Sequence, residues 1–374
     1  MMEKWMGGDM HPSYRILMGP GPSNVHYRVY QAMSNPIIGY LDPQILACMD
    51  EISEMLRGVF HTKNQVTLAI SATGSAGMET SYVNFVEPGD VVVIGVSGFF
   101  ADRMTQVASR SGANVIRVEE EWGKMIDPEK VIKALKEHPE AKICGMVHGE
   151  TSTGVRQPLE EIGAYCKKKD ILFVVDAVTT LGGYEVKVDD WGIDVCYASS
   201  QKCLGVPPGL SPITVSPKAM DVLRSRKTPV QSFYLDLTLL AKYWGTERVY
   251  HHTAPASLFY ALREGLQIIF EEGLEARFQR HQTLGDRLKM DLEGLGFKLF
   301  AQEGYRLPML TAVVLPDGMD DVKTRSRLLN EHNIEVGGGL GYLKGKVWRV
   351  GLMGETCKLR YIHCLIGALR EMIP

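Results

Sequence analysis

Seven short apolar runs, most of them separated by helical stretches, are the feature of this sequence that most restricts its fold. Helical stretches such as 100–110, 128–137 and 159–169 lie between runs of strand length. Strands that alternate with helices pair in parallel, because each crossover returns the chain to the same end of the sheet. We therefore predict an α/β fold in which helices cover both faces of a mainly parallel seven-stranded sheet. The runs are 66–71, 91–96, 115–118, 143–148, 171–175, 195–198 and 213–215.

The pattern changes after about Gly273. A long polar helix runs to Leu292, and strands near 297–300 and 311–315 and two further helices follow it. With 374 residues, the chain exceeds the roughly 250–300 residues at which a single core stops growing. We predict an N-terminal arm (1–22), a large domain (23–272) and a smaller C-terminal α+β domain (273–374).

The composition indicates an ordinary soluble protein. The 41 basic and 44 acidic residues leave a net charge of −3, so we expect neither a nucleic-acid nor a membrane partner. The seven cysteines are scattered without a Cys-x-x-Cys pair, which argues against a zinc site and a disulfide framework. The N-terminal residues lack a basic segment followed by an apolar one, so we expect a cytoplasmic location.

Lys202 and Asp176 are the main candidates for chemistry. Each follows or ends an apolar strand, and neighbouring strands deliver such residues to the ligand-binding edge of an α/β sheet. A lysine amine for an aldehyde and a carboxylate for a pyridine nitrogen are what pyridoxal 5'-phosphate requires. The alternatives are a solvated loop lysine and a carboxylate that caps the turn after Asp176.

The small residues Thr73, Gly74 and Ser75 follow a strand and precede an apolar helix. Free N–H groups at a helix N-terminus favour a phosphate. An ordinary turn capped by Ser75 is the alternative.

Two polar segments leave more than one interpretation open. In 148–154, Thr151 either caps a turn or contacts a cofactor hydroxyl; hydrolase chemistry is disfavoured because no G-x-S-x-G elbow is present. His251 and His252 are adjacent in an extended segment and should point to opposite faces, so we predict no metal site.

Arg349 lies inside an apolar strand, where an unpaired charge is costly. It either pairs with an internal acid or binds a substrate carboxylate through two hydrogen bonds. The glycine-rich stretch 337–346 fits no standard nucleotide loop and predicts a flexible loop near the site.

At these residues the sequence resembles the class V aminotransferases among the fold type I pyridoxal phosphate enzymes, in particular the alanine-glyoxylate and serine-pyruvate branch. The likeness runs nearly end to end, and several strings in one order carry it. They are 19–24 (Gly-Pro-Gly-Pro-Ser-Asn), 147–155 (Val-His-Gly-Glu-Thr-Ser-Thr-Gly-Val), 200–202 (Ser-Gln-Lys), 232–236 (Ser-Phe-Tyr-Leu-Asp), 250–255 (Tyr-His-His-Thr-Ala-Pro) and 349–354 (Arg-Val-Gly-Leu-Met-Gly).

The resemblance implies a role for each matching residue. Lys202 would form a Schiff base with pyridoxal 5'-phosphate, and Asp176 would hold the pyridine nitrogen. Phe100 would stack on the ring, and Thr151 would contact the phenolic oxygen. The implied phosphate contacts are Thr73, Gly74, Ser75 and Gln201, with Tyr250 and Thr253 from the other subunit of a homodimer with shared sites. The implied substrate contacts are Gly21, Tyr40, Thr151 and Arg349.

The implied activity is a two-stage transfer of an amino group from a small amino acid, alanine or serine, to glyoxylate or pyruvate. An aminotransferase for another amine such as 2-aminoethylphosphonate, and a lyase such as cysteine desulfurase, are alternatives. Two departures bear on the donor. Ser75 stands where mammalian relatives have His, and Tyr40 stands where many bacterial relatives have His.

Overall fold

A seven-stranded sheet forms the centre of the larger part of the chain. In the computed structural model, which describes residues 12–372, the strand order is β2-β10-β9-β8-β5-β3-β4. Strand β10 is antiparallel to both of its neighbours, and the remaining pairs are parallel. The predicted mainly parallel α/β fold is therefore confirmed, with a mixed sheet. The strands are β2 (Val66–Ile70), β3 (Val91–Val96), β4 (Asn114–Glu119), β5 (Ala141–Val147), β8 (Leu172–Asp176), β9 (Val195–Tyr197) and β10 (Ser211–Val215).

Helices cover this sheet because their apolar residues recur at helical spacing. In α2 (Pro43–Phe60), Ile45, Met49 and Ile52 are fully buried, and Asp42 caps the helix by accepting a 2.8 Å hydrogen bond from the Gln44 backbone N–H. The other helices of this part are α1 (Tyr27–Met33), α3 (Gly74–Val83), α4 (Phe99–Arg110), α5 (Pro128–Glu137), α6 (Glu160–Lys169), α7 (Pro217–Arg224), α8 (Leu237–Trp244) and α9 (Ala256–Glu272). A short hairpin, β6 (Gly149–Glu150) with β7 (Val155–Arg156), follows β5.

The C-terminal part contains a second, four-stranded antiparallel sheet in the order β11-β12-β15-β14. Its core is built around the fully buried Trp348. The strands are β11 (Lys298–Leu299), β12 (Leu310–Val314), β14 (Gly337–Gly338) and β15 (Val347–Gly351), and the helices are α10 (Leu274–Glu293), α11 (Asp321–Glu331) and α12 (Leu359–Arg370).

The glycine-rich stretch is more ordered than the predicted flexible loop. Gly337 and Gly338 form β14 against β15, and residues 341–343 form a short 3-10 helix. A Cβ atom on Gly337 would lie 2.4 Å from Cδ of Pro20, so glycine here allows the strand to pack against the N-terminal segment.

The predicted arm is attached to the C-terminal part. Its strand β1 (Ile16–Leu17) pairs in parallel with β13 (Ile334–Glu335), and Met18 is fully buried in the same core as Trp348. The first 11 residues of the arm and the last two residues of the chain lie outside the described residues. From Met18 the chain continues to the carboxyl edge of the seven-stranded sheet, where the Ser23 N–H donates a hydrogen bond to the Gln201 carbonyl.

Candidate active site

Two neighbouring strands bring Asp176 and Lys202 together. Strand β8 ends at Asp176, which is paired in register with Tyr197 at the end of β9. The chain continues from β9 through three small residues into the turn that carries Gln201 and Lys202. Because β8 and β9 are parallel, both side chains emerge at the carboxyl edge of the sheet, as predicted.

The Asp176 carboxylate is buried, with 4% of its surface exposed. Its Oδ1 accepts a hydrogen bond from the Val178 N–H at 2.8 Å, and its Oδ2 accepts one from the Tyr197 hydroxyl at 2.9 Å. Burial raises the pKa of Asp176 to about 6, although these hydrogen bonds favour the ionised form. The carboxylate thus caps the following turn and also lines the cavity described below.

The Lys202 amine is held by the N-terminal segment and does not extend into solvent. Its Nζ donates a hydrogen bond to the carbonyl of Pro20. Ser23 fixes the same turn, because its Oγ donates to the Lys202 carbonyl and its N–H to the Gln201 carbonyl, both at 3.0 Å. Burial and the nearby Arg349 guanidinium lower the pKa of Lys202 to about 8. A solvated loop lysine is therefore excluded, and the amine loses its proton more readily than a free one.

A cavity of about 320 Å³ lies between these residues. Eight of the predicted site residues line it, whereas Gly21, Tyr40, Tyr250, Thr253 and Arg349 do not. The lining residues from the predicted set are Thr73, Gly74, Ser75, Phe100, Thr151, Asp176, Gln201 and Lys202, and the others are Met78, Arg103, Val147, Gly149, Val178 and Thr179.

Helix α3 presents its N-terminus to this cavity. The N-cap residue of α3 is Thr73, so Ser75 does not cap the turn as the alternative interpretation required. The Thr73 side chain makes no capping hydrogen bond within residues 12–372. Gly74 is tightly packed, since a Cβ atom there would lie 2.8 Å from Cβ of Ser199. The buried Oε1 of Gln201 also has no hydrogen-bond partner in the part of the chain that the structure describes. The uncapped N–H groups at this helix end suit an anionic ligand.

Phe100 and Arg103 form another wall of the cavity, at the start of α4. The Arg103 guanidinium lies 5.0 Å from the centroid of the Phe100 ring, a cation–π contact. Sequence analysis missed Arg103, although its position one helical turn after Phe100 places both on the same face of α4. Met78 and Val178 were also missed, because apolar residues carry no signal that separates a cavity wall from a core.

Arg349 lies on β15, with 8% of its surface exposed. Its Nε donates a 2.8 Å hydrogen bond to the Gly338 carbonyl, and burial lowers its pKa to about 10. Among the described residues it forms no ion pair with an acid, so the predicted internal pair is not found. Gly21 lies against the lysine, since a Cβ atom on it would be 2.7 Å from Cδ of Lys202.

Tyr40 and Tyr250 contact each other away from the cavity of their own chain. Their ring centroids lie 4.6 Å apart, and 52% of the Tyr250 surface is exposed. Thr253 is also exposed. The site roles that the resemblance implies for these three residues stay predictions.

The two adjacent histidines do not point to opposite faces, so that prediction is wrong. Their Nδ1 atoms lie 2.8 Å apart, and His252 Nε2 lies 2.7 Å from the Ser71 hydroxyl. The irregular segment turns both rings to one side, where hydrogen bonds occupy their nitrogens. Between residues 12 and 372 no three acidic, His or Cys side chains are grouped to bind a metal, and no helix combines the length and apolarity that crossing a membrane requires.

Known proteins resemble this chain over nearly its whole length. The sequence pattern of the family described as aminotransferase class-V matches residues 24–347. The chain belongs to the class V aminotransferases. The predicted family and enzyme class are therefore confirmed, and this family uses pyridoxal phosphate.

Individual relatives of this class V aminotransferase agree with the family assignment. The alanine–glyoxylate aminotransferase of Drosophila melanogaster is 40% identical, with 96% of this chain and 92% of the relative aligned. The (S)-ureidoglycine–glyoxylate transaminase of Bacillus subtilis is 41% identical over 96% and 90% of the two chains. The crystal structure of an alanine–glyoxylate aminotransferase from Nostoc sp. superposes with a TM-score of 0.97 at 49% identity, covering 100% and 98% of the chains. The phosphonate transaminase and lyase alternatives are not favoured.

Proposed function

We propose that the protein binds pyridoxal 5'-phosphate in the cavity around Lys202 and transfers the amino group of a small amino acid to glyoxylate or pyruvate. One observation carries this proposal. An amine with a lowered pKa and a buried carboxylate line the same cavity as an uncapped helix N-terminus. The names of the relatives support glyoxylate as the acceptor.

The residues fit this cofactor. The buried carboxylate of Asp176 has no cationic partner in an ion pair within residues 12–372, and a protonated pyridine nitrogen would supply one. The N–H groups of Gly74 and Ser75 and the amide of Gln201 would hold the phosphate. When bound, the cofactor supplies an aldehyde that links to amino groups and a ring that withdraws electrons from the substrate α-carbon.

The protein residues would then position the substrate and move its protons. Asp176 would keep the ring nitrogen protonated, because its ionised form is the partner of a cation. The Lys202 amine, neutral in part at physiological pH, would take the proton from the substrate α-carbon and deliver it to the cofactor-side carbon within the same half of the reaction. In the second half it would move a proton in the opposite direction. Phe100 and Arg103 would cover one wall of the cavity and limit the entry of water.

The donor and acceptor can be identified with a panel of substrates. Alanine, serine and (S)-ureidoglycine are each offered with glyoxylate or pyruvate, and the keto product is measured. We expect turnover with at least one small donor and glyoxylate, accompanied by visible absorbance of the bound cofactor. The Lys202→Ala variant should lose both the absorbance and the turnover. Unchanged turnover in Lys202→Ala, or a protein that does not bind added cofactor, would contradict the proposal.

A second proposal concerns assembly: the protein forms a homodimer in which Tyr250 and Thr253 reach the site of the partner. Several large apolar side chains that are more than half exposed in the single chain support this second proposal, because exposed apolar patches mark protein interaction sites. Of the nine such side chains in residues 12–372, five lie in the segments 27–37 and 233–250, namely Tyr27 (65%), Tyr30 (56%), Ile37 (70%), Phe233 (72%) and Tyr250 (52%). The other four are Tyr14 (67%), Met290 (68%), Val322 (68%) and Tyr342 (58%).

A complementation experiment tests the shared site. A heterodimer of Lys202→Ala and Tyr250→Ala subunits has one site with both residues intact if the site is shared between subunits. If each site is built from one subunit, both sites carry a substitution. We expect co-expression to restore activity that neither variant has alone. No restoration in a mixture shown by mass to contain the heterodimer would refute sharing.

A further inference from the structure

Glu150 is a buried carboxylate that joins two walls of the candidate active site. It belongs to β6, and 2% of its surface is exposed. Its Oε2 accepts hydrogen bonds from the backbone N–H groups of Phe100 and Ala101, both at 3.1 Å. Its Oε1 accepts from the N–H of Ser152 at 3.0 Å and from the Ser152 hydroxyl at 2.6 Å. Two donors on α4 and two from Ser152 thus meet on one side chain.

The Ser152 hydroxyl adds a further link between the same two segments. While it donates to Glu150, its Oγ accepts a 2.9 Å hydrogen bond from the Phe99 N–H. The first turn of α4 therefore gives three backbone N–H groups to Glu150 and Ser152. Phe100 and Thr151, which lie within these bonded segments, both line the cavity.

The close packing around Glu150 leaves little freedom for this arrangement to shift. A Cβ atom on Gly98 would lie 2.3 Å from Cγ of Glu150, so the Glu150 side chain occupies the space that a side chain at position 98 would need. Within residues 12–372 Glu150 forms no direct ion pair. The N–H donors, the positive end of α4 and the charge of Arg349 favour its ionised form, although burial raises its pKa. Only a carboxylate provides two oxygens that can each accept two hydrogen bonds here.

We propose that Glu150 is a positioning residue for the transamination, fixing the Phe100 ring and the Thr151 side chain relative to each other in the cavity that binds the cofactor. This inference rests on the proposed function of the cavity. Glu150 does not line the cavity itself and acts through the two residues that do. Displacement of reacting groups by about 1 Å can cost about 100-fold in rate.

Glu150→Gln is the most direct test, because it keeps the shape but turns one acceptor oxygen into a donor. Whichever way the amide lies, at least one backbone N–H loses its acceptor. We expect the purified holoenzyme variant to retain cofactor but to show a kcat reduced about 100-fold, little change in KM for the amino donor, and altered visible circular dichroism of the cofactor. Glu150→Asp, which keeps all four acceptor sites on a shorter side chain, should recover part of the rate.

Glu87→Gln is a matched control. Glu87 Oε1 also accepts from two backbone N–H groups and a hydroxyl, those of Lys227 and Thr228, each at 3.0 Å, but it lies outside the cavity. We expect this variant to keep wild-type kcat and dichroism. Equal losses in the two variants would show that Glu150 has only a structural role.

A second variant covers the case in which Glu150→Gln does not fold. Ser152→Ala removes one donor to Glu150 and the acceptor for Phe99 but keeps the carboxylate, and its kcat and dichroism should change in the same direction by a smaller factor. If either folded variant has the kcat and dichroism of the wild type, the inference is wrong. If the wild-type protein itself neither binds cofactor nor transfers amino groups, the proposed function fails instead.

Discussion

The Tyr197 hydroxyl donates a 2.9 Å hydrogen bond to Oδ2 of Asp176, across the strand pair in which these two residues are directly in register. The bond leaves the cavity side of the carboxylate available and favours its ionised form. It therefore opposes the effect of burial, which raises the pKa of Asp176 to about 6.

Replacing Tyr197 with Phe should make cofactor binding more sensitive to acid. Without the hydroxyl, the pKa of Asp176 rises further, so the carboxylate is protonated at a higher pH and no longer attracts a pyridinium. A hydrogen bond to a charged group contributes about 1.5–3 kcal/mol. We therefore expect an upward shift of about one to two pH units in the pH at which the apoenzyme loses half of its cofactor affinity. Absorbance titrations between pH 5 and 8 measure this.

Tyr82→Phe is the control for that experiment. The Tyr82 hydroxyl is buried in the same core and has no hydrogen-bond partner among the described residues. Its removal should leave the pH dependence of cofactor affinity unchanged. A shift of equal size in both variants would contradict the assigned role of Tyr197.

Gly21→Ala should impair the reaction by displacing the amine of Lys202. The added methyl group would lie 2.7 Å from Cδ and 2.8 Å from Nζ of Lys202, and the Gly21 φ of +110° also disfavours a side chain. We expect kcat to fall about 100-fold, as for other displacements of a reacting group. Gly304→Ala separates the two effects, because Gly304 has a φ of +80° and open space around it. If both variants lose the same rate, contact with Lys202 is not the cause.

Arg349→Gln should weaken binding of the amino acid substrate. A guanidinium without an acidic partner can bind a carboxylate through two charge-assisted hydrogen bonds, so its loss should raise the KM of the amino donor about 10- to 100-fold. Arg349→Lys should not restore it, because an ammonium cannot form the planar fork. Steady-state kinetics with the donor varied provides the measurement. Arg327→Gln, on an exposed surface pair, should behave as wild type, and a wild-type KM in Arg349→Gln would refute this role.

His281 should make the fold sensitive to acid. Its Nδ1–H donates to the Arg277 carbonyl at 2.8 Å, and its Nε2 accepts from the Gly354 N–H at 3.1 Å, so the native ring is neutral. Burial, together with Arg277 and Arg280, lowers the pKa of His281 from 6.5 to about 3. Between these values the unfolded chain binds one more proton, and the contribution of His281 to stability, complete above pH 6.5, is lost as the pH falls.

The His281→Gln variant should therefore be less stable at pH 7 but lose less stability on acidification. We expect the slope of the unfolding free energy against pH, measured by urea titration between pH 4.5 and 6, to decrease by up to about 1.4 kcal/mol per pH unit. His363→Gln, at an exposed position, should keep the wild-type slope. An unchanged slope in His281→Gln would show that the buried ring takes up a proton without unfolding.

Local patterns in the sequence were sufficient to predict the strands that carry the site. The apolar run 171–175 predicted β8 within one residue, and the position of Asp176 after it followed directly. The antiparallel direction of β10 was not predictable in the same way, because an apolar run has no direction and β10 follows β9 without a crossover helix. The likeness of the motifs to a known family placed Phe100 and Thr151 among the predicted site residues, which spacing alone did not, and both line the cavity.

Contacts between distant segments account for most of what the sequence did not predict. The hydrogen bond from Lys202 to the Pro20 carbonyl joins residues 182 positions apart, and no local pattern encodes it. The network that holds Phe100 to Glu150 also depends on how two loops meet at the sheet edge. The glycine-rich stretch 337–346 appeared flexible because its partners, Pro20 and β15, lie elsewhere in the chain.

The attachment of the N-terminal arm has a consequence for how the protein is made. Arg15 donates a 2.7 Å hydrogen bond to Oδ1 of Asn333, 318 residues later, beside the parallel pairing of β1 with β13. On the ribosome, the arm emerges long before its partner strand β13 has been synthesised. Until then the carbonyl that holds Lys202 is not anchored, so a nascent or C-terminally truncated chain should contain Lys202 without an organised site around it.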